Sequence, residues 1–220
     1  KSGYGAYSDP GCHDYFNNCN FDMSCMAAIV AGNSDMTFND CTAECGSYFA
    51  LTHCVNGWQE EVADITVTGG DIHTKKECVL IKSHNMMLDL CDVNISSDKG
   101  VLVHTIVNDD PCATKVTKDV FGVNVVMTDM DVKGDLLHED TTREMWVILN
   151  STQLTGAIQH ANVAFDNGST CTATAESDGV FVTDVEPAQI DAPAGVTITA
   201  KGAEAGEFAL ASGGKLIVTA

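Results

Sequence analysis

After residue 60 the chain is written as short runs of Val, Ile, Leu and Met separated by Gly, Asn, Asp and Ser, with no helix-length segment between them. The runs are 63–68, 78–81, 86–93, 101–106, 123–127, 145–149, 162–165, 180–182, 196–199 and 216–218. Such runs read as β-strands bounded by turns. Without helices between strands a βαβ fold is excluded, which leaves an antiparallel sandwich or barrel, or a solenoid. Comparable strand centres fall near Ile65, Leu88, Val125, Val147, Ala164, Ile198 and Ile217. Their spacing is about 17–23 residues, with two longer steps of about 33–37 that leave room for loops. That length suits one coil of a parallel β-helix, built from two or three short strands and tight bends. The alternation agrees, because Ile65 and Val67, Leu88 and Leu90, Val123 and Val125, and Val147 and Leu149 would all point inwards.

Residues 1–59 differ in character. They hold all four Tyr, four of the eight Phe and six of the ten Cys. Asp22 to Val30 reads as a short helix ended by Gly32, and a second helix is expected from Asn39 to about Cys54, with Cys41, Cys45, Tyr48 and Thr52 along one face. Two helices this poor in apolar mass need cross-links. The expectation is a cysteine-rich helical hairpin over 1–59 that caps a β domain over 60–220.

The cysteines are Cys12, Cys19, Cys25, Cys41, Cys45, Cys54, Cys78, Cys91, Cys112 and Cys171. An even number, clustered and without a C-x-x-C pair, predicts disulfides formed in an oxidising compartment, with the connectivity open. The rival is a zinc site from Cys41, Cys45, His53 and Cys54, whose spacing is not that of a standard zinc module. Asn94, Asn150 and Asn167 each begin an N-x-S/T sequon, which gives modest support for secretion. The 31 acidic and 11 basic residues leave a net charge of −20. Nucleic acid and anionic membranes are therefore poor partners. No apolar run is long enough to span a bilayer, and no signal peptide is read at Lys1.

The stretch from Ile65 to Ile72, with Gly69-Gly70 at its turn, resembles the turn common in secreted right-handed β-helix proteins. The progression Val123 to Asp135, then Leu149 to Ile158, resembles the coils of pectate-lyase-like, adhesin-type members of that class. The resemblance covers about residues 60–200 and its motifs specify coils and turns rather than chemistry. It implies an all-β chain, a right-handed parallel β-helix solenoid behind the disulfide-rich α-helical cap. In that setting Cys78 and Cys91 would bridge neighbouring strands, and Cys112 and Cys171 would tie a long loop to a later coil. A solenoid needs its ends covered. No cap is read after Leu216, so a partner or a loop is expected to lie over the last coil.

Catalytic signals are sparse. Cleavage of acidic polysaccharide needs cations beside the uronate, and the chain has one arginine, Arg143. Asp109-Asp110 before Pro111 reads as a turn. Asp129, Asp131 and Asp135, in the densest acidic stretch, are the candidate calcium ligands, against a solvated outer face. No other cofactor is expected. His84, Met86 and Met87 could suggest copper, but core packing of a methionine is the simpler reading. Trp146, inside an apolar run, is expected in the core. Thr-x-Thr pairs at Thr66, Thr172 and Thr197 do not recur on every coil, as an ice-binding ladder would require. The function expected is that of a secreted, non-enzymatic structural or adhesive protein assembling head to tail into filaments. The alternatives are a polysaccharide lyase or hydrolase, and a glycan-binding module.

Overall fold

The computed structural model describes residues 2–57, 62–114, 121–140, 142–166, 168–178, 180–181, 187–201 and 205–219. Apart from one 3-10 turn, Pro187–Gln189, its regular structure is β throughout the described residues. Pairing is overwhelmingly parallel. One eight-stranded sheet runs in chain order through His13–Asn17, Asp35–Asn39, Val62–Thr68, Asn85–Cys91, Val123–Thr128, Met145–Asn150, Asn162–Phe165 and Val180–Phe181. Between successive members the chain adds strands to two further stacks. The first is Thr42–Cys45, Asp71–Thr74 and Asn94–Ser97, with Asp131–Lys133, Gln153–Thr155 and Thr170–Thr172 in later circuits. The second is Ala50–His53, Val79–Lys82, Val101–Ile106, Asp135–His138 and Ile158–Gln159. The twelve-residue strand Asn20–Ala31 serves both stacks, pairing first with Thr42–Cys45 and then with Ala50–His53.

Each circuit returns in phase. Met36, Ile65, Leu88, Val125, Val147 and Val163 stand one above the next in register, all fully buried. A one-residue slip would turn every such side chain to solvent, and each fully buried Leu, Ile or Val contributes about 1.5–3 kcal/mol. Ile65, Leu88, Val125 and Val147 therefore occupy the places read from the spacing. Val163 holds the next place, while Ala164 pairs with Ile148. Ile198 aligns with Leu216 rather than Ile217.

The α-helical cap is corrected. Asp22 to Val30 lies within the strand Asn20–Ala31, and residues 39–54 contain the strands Thr42–Cys45 and Ala50–His53. The first 57 residues feed the same sheets as the rest, since Asp35–Asn39 pairs with Val62–Thr68. Met26, Ala27 and Ala28 are consecutive and all buried, so no alternation shows and helix formers fill the strand. This end is filled by rings: Phe38 lies 5.0, 5.7 and 4.9 Å from Phe16, Phe21 and Phe49 between ring centroids. Such contacts add about 0.5–1.5 kcal/mol each beyond area burial. Phe16, Phe21, Phe38 and Phe49 therefore supply the apolar mass for which cross-links were expected.

The bend after each of the first six strands of the eight-stranded sheet has one recurring conformation. Asn18, Asp40, Asp92, Asp129 and Ser151 all have positive φ, 53, 49, 49, 55 and 49°, and Gly69 stands in the same series at 65°. Their amides form one ladder: Asn18 donates to Asn39, Asp40 to Thr68, Gly69 to Cys91, Asp92 to Thr128 and Asp129 to Asn150. Asn and Asp tolerate the left-handed region better than other non-glycine residues, which explains their recurrence. Gly70 is required for closeness as well, because a Cβ there would lie 2.0 Å from the Cys41 carbonyl oxygen.

Longer connections fall at a different corner. Residues 54–57 and 107–114 meet there through an antiparallel bridge between Val55 and Ala113, with the Asn56 amide on the Cys112 carbonyl at 2.7 Å and the Thr114 amide on the Cys54 carbonyl at 3.0 Å. Toward the C-terminus a second apolar cluster, including Ile190, Ile198, Ala200 and Leu216, takes over. Thr197–Lys201 pairs in parallel with Lys215–Thr219, and Gly206–Ala209 lies antiparallel on the other edge of that strand. The edge of Lys215–Thr219 away from Thr197–Lys201 is thus paired by the chain's own Gly206–Ala209.

Candidate functional site

Inward alternation leaves the outer face of the eight-stranded sheet to polar residues at its N-terminal end and to a mixture of polar and apolar residues further on. One row in register runs His13, Asp35, Asp64, Met87, Asn124 and Trp146. The next runs Tyr15, Thr37, Thr66, Asp89, Val126 and Ile148. Asp89 is two residues beyond the register partner of Asp64 on the adjacent strand. Strand spacing and rise put their Cα atoms about 8 Å apart on one face. Burial, the larger cause, raises the carboxyl pKa of Asp64, and the nearby charges of Asp89 and Asp35 add to this against the Thr66 hydroxyl bond. That bond, Thr66 Oγ1 to Asp64 Oδ1, measures 3.2 Å. Burial alone raises Asp89. His13 Nδ1 lies 2.5 Å from Asp35 Oδ2 at the edge of the patch. Two half-buried carboxyls with raised pKa values therefore share this outer face. Trp146 corrects the core assignment: it faces outward, half-buried, with Nε1 donating to Glu144 Oε2 at 3.3 Å. Trp58 lies outside the described residues.

The second polar cluster is at the loop corner. Lys82 Nζ reaches both Asp109 Oδ1 and Asp110 Oδ1 at 2.8 Å. Burial alone would lower Lys82, but its bonds to the two carboxylates outweigh it and raise the pKa. His53 Nδ1 lies 3.7 Å from Asp110 Oδ2. Burial lowers its pKa against the attraction of that carboxylate. The Asp109-Asp110 pair thus clamps a lysine of the neighbouring circuit and holds the loop. Arg143, the one arginine, is buried against Asp140, away from the solvent where a uronate would bind.

The candidate metal ligands do not converge. Asp129 is a left-handed bend residue, Asp131 is exposed, and Asp135 Oδ1 accepts from the Ala157 amide at 2.8 Å. Cys41 precedes and Cys45 ends the strand Thr42–Cys45, whereas His53 and Cys54 are at the loop corner. Among the described residues no group of three or more His, Cys, Asp or Glu is arranged to hold a metal ion. Met86 is fully buried in the core.

All ten cysteines are thiols in this structure. Cys12 and Cys112 are exposed, Cys19, Cys25 and Cys91 half-buried, and Cys41, Cys45, Cys54, Cys78 and Cys171 buried. Burial pushes Cys45 up to about 11, and Cys78 and Cys171 up to about 12. Cys78 donates to the Ser96 carbonyl, while Cys91 is in the eight-stranded sheet between Thr68 and Thr128. Cys112 sits in the corner loop, and Cys171 lies between Leu154 and Ile190. Of the sequons, Asn94 is exposed with its amide on Asp71 Oδ1 at 2.8 Å, Asn150 is half-buried at a strand end, and Asn167 lies outside the described residues. No helix among the described residues is long and apolar enough to cross a membrane.

Asp64 and Asp89 were not singled out from the sequence. Their signal is there, in Asp64 and Asp89 each occupying an outward position between inward Ala63 and Ile65, or Leu88 and Leu90. No protein-family model matches the chain, and no curated protein or solved structure matches it either.

Proposed function

We propose that the chain is a right-handed parallel β-helix that serves outside the cell as a non-enzymatic structural or adhesive rod. The pairing order supports the winding, since each circuit lays one strand beside its predecessor in the eight-stranded sheet, and parallel crossovers are right-handed in about 98% of cases. The observation that carries the functional reading is the in-register buried column from Met36 to Val163. A column bonded along its length makes a stiff body. Its net charge of −20 keeps it apart from anionic surfaces. Disulfides among the ten cysteines and glycans at Asn94, Asn150 and Asn167 belong to this reading. End-to-end association would give filaments, as a heterologous contact does not close. Negative-stain imaging of the full chain over a range of concentrations tests it. Filaments are the expected result, and dispersed monomers at every concentration would remove the assembly claim.

The placement of Asp64 and Asp89 favours a second reading, glycan hydrolysis on the outer face. Two carboxyl groups in acid and base roles are what glycoside hydrolysis uses. Reducing ends released from a polysaccharide by the wild-type chain, and lost in both Asp64→Asn and Asp89→Asn, would select this reading over the first.

A further inference from the structure

Cys19 and Cys41 occupy the same place in successive circuits. Asn20 pairs with Thr42, so the two cysteines stand side by side immediately before them, and the Thr42 amide donates to the Cys19 carbonyl at 2.9 Å. Parallel neighbours lie about 4.8 Å apart, inside the Cα separation of roughly 4.4–6.8 Å that a disulfide spans. Both thiols point the same way. Cys19 Sγ donates to the Asn17 carbonyl at 3.5 Å and Cys41 Sγ to the Asn39 carbonyl at 3.4 Å, and Asn17 and Asn39 are themselves register partners. Cys41 Sγ is also 3.4 Å from the Phe16 carbonyl oxygen, which belongs to the Cys19 circuit.

In later circuits Thr152 and Ser169 hold the corresponding place, immediately before the paired Gln153 and Thr170: Thr152 Oγ1 donates to the Asn150 carbonyl at 2.9 Å, and Ser169 Oγ accepts from the Thr152 amide at 3.1 Å. Gly70, in the circuit after Cys41, carries no side chain to compete for the space.

We infer that Cys19 and Cys41 form a disulfide that staples the first two circuits together beside the Phe16–Phe38 stack. The inference rests on the reading that the protein works in an oxidising compartment. Half-buried Cys19 is open to a small-molecule disulfide such as oxidised glutathione, and buried Cys41 resolves the mixed disulfide. The Sγ–Sγ bond forms as the oxidant's S–S bond breaks. The oxidant takes up two electrons and both thiol protons and leaves as two thiols.

The test uses the full chain refolded in mixed reduced and oxidised glutathione, blocked with N-ethylmaleimide in denaturant and digested without reductant. Cleavage before aspartates separates 14–21, which holds Cys19, from 40–63, which holds Cys41, Cys45 and Cys54, and fragmentation of the linked species assigns the partner. The expected product joins Cys19 to Cys41, with Cys19→Ser leaving Cys41 as the newly blocked thiol. Bridges elsewhere, with Cys19 or Cys41 blocked or joined to another partner, would overturn this pairing and leave the oxidised reading intact. Ten maleimide adducts would overturn both.

Discussion

Asp140 and Arg143 form an ion pair in the interior, Oδ2 to Nη1 at 2.9 Å, with side chains 1% and 0% exposed. Asp140 Oδ1 also accepts from the Thr142 amide at 3.0 Å and from the Thr142 hydroxyl. Removing one member of such a pair strands a buried charge, at a cost of about 3–5 kcal/mol, whereas replacing both with apolar groups costs far less. Asp140→Ala should lose about that much stability in urea denaturation. The double change Asp140→Leu with Arg143→Met should lose less than either single change, and additive losses would show that the two do not act as a pair.

Asp129 shares its left-handed bend with Asn18, Asp40, Asp92 and Ser151. If conformation is its role, Asp129→Gly should stay within about 1 kcal/mol of wild type, and Asp129→Val should cost about 1–3 kcal/mol as backbone strain. Melting curves with and without calcium separate this from ligation. The order of the variants should be unchanged by the ion, and a calcium-dependent shift that Asp129→Gly abolishes would restore the ligand role.

The pH dependence has opposite signs at two places. Burial first, and then neighbouring carboxylates, place the folded pKa of Asp64 above its unfolded value. The native state therefore holds more protons in that window, and stability falls as pH rises through it. Asp64→Asn should raise the melting temperature at pH 7, with the gain shrinking as pH falls through the folded value and gone below the unfolded value of about 3.9. Burial lowers His84 to about 3, against an unfolded value of about 6.5. Here the unfolded chain binds the extra proton, so stability is lost as pH falls from about 6.5 toward 3. His84→Met should flatten that acid limb; an unchanged limb would place the titration elsewhere.

In the fully reduced chain, alkylation should follow exposure and burial. Cys12 and Cys112 lie at the surface, while Cys78 and Cys171 are buried with thiols pushed up to about 12. Iodoacetamide at pH 8 should modify the first two rapidly and the last two only on unfolding, since the thiolate is the reacting form. Equal rates at Cys112 and Cys171 would contradict the burial of the latter.

The strands after residue 60 were legible because one face is buried and the other is not. Ile65, Leu88, Val125 and Val147 could be aligned from spacing alone, as alternation fixes phase. Residues 20–31 were misread because Met26, Ala27 and Ala28 are all buried: where both sides of a strand are covered, composition is all that remains, and Ala and Met favour helix. Trp146 was placed inside because its neighbours Met145 and Val147 are inside; one residue of phase separates the two faces. The outer-face carboxylates escaped notice for a related reason, since Asp64 and Asp89 become neighbours only once the register is known.

The meeting of residues 54–57 with 107–114 at a single corner has a consequence for engineering. Added chain length is absorbed where two excursions can lean on each other, and the in-phase column beneath them is untouched. That corner is where this architecture can lengthen, accept a grafted peptide or acquire a new recognition loop without disturbing what keeps it upright.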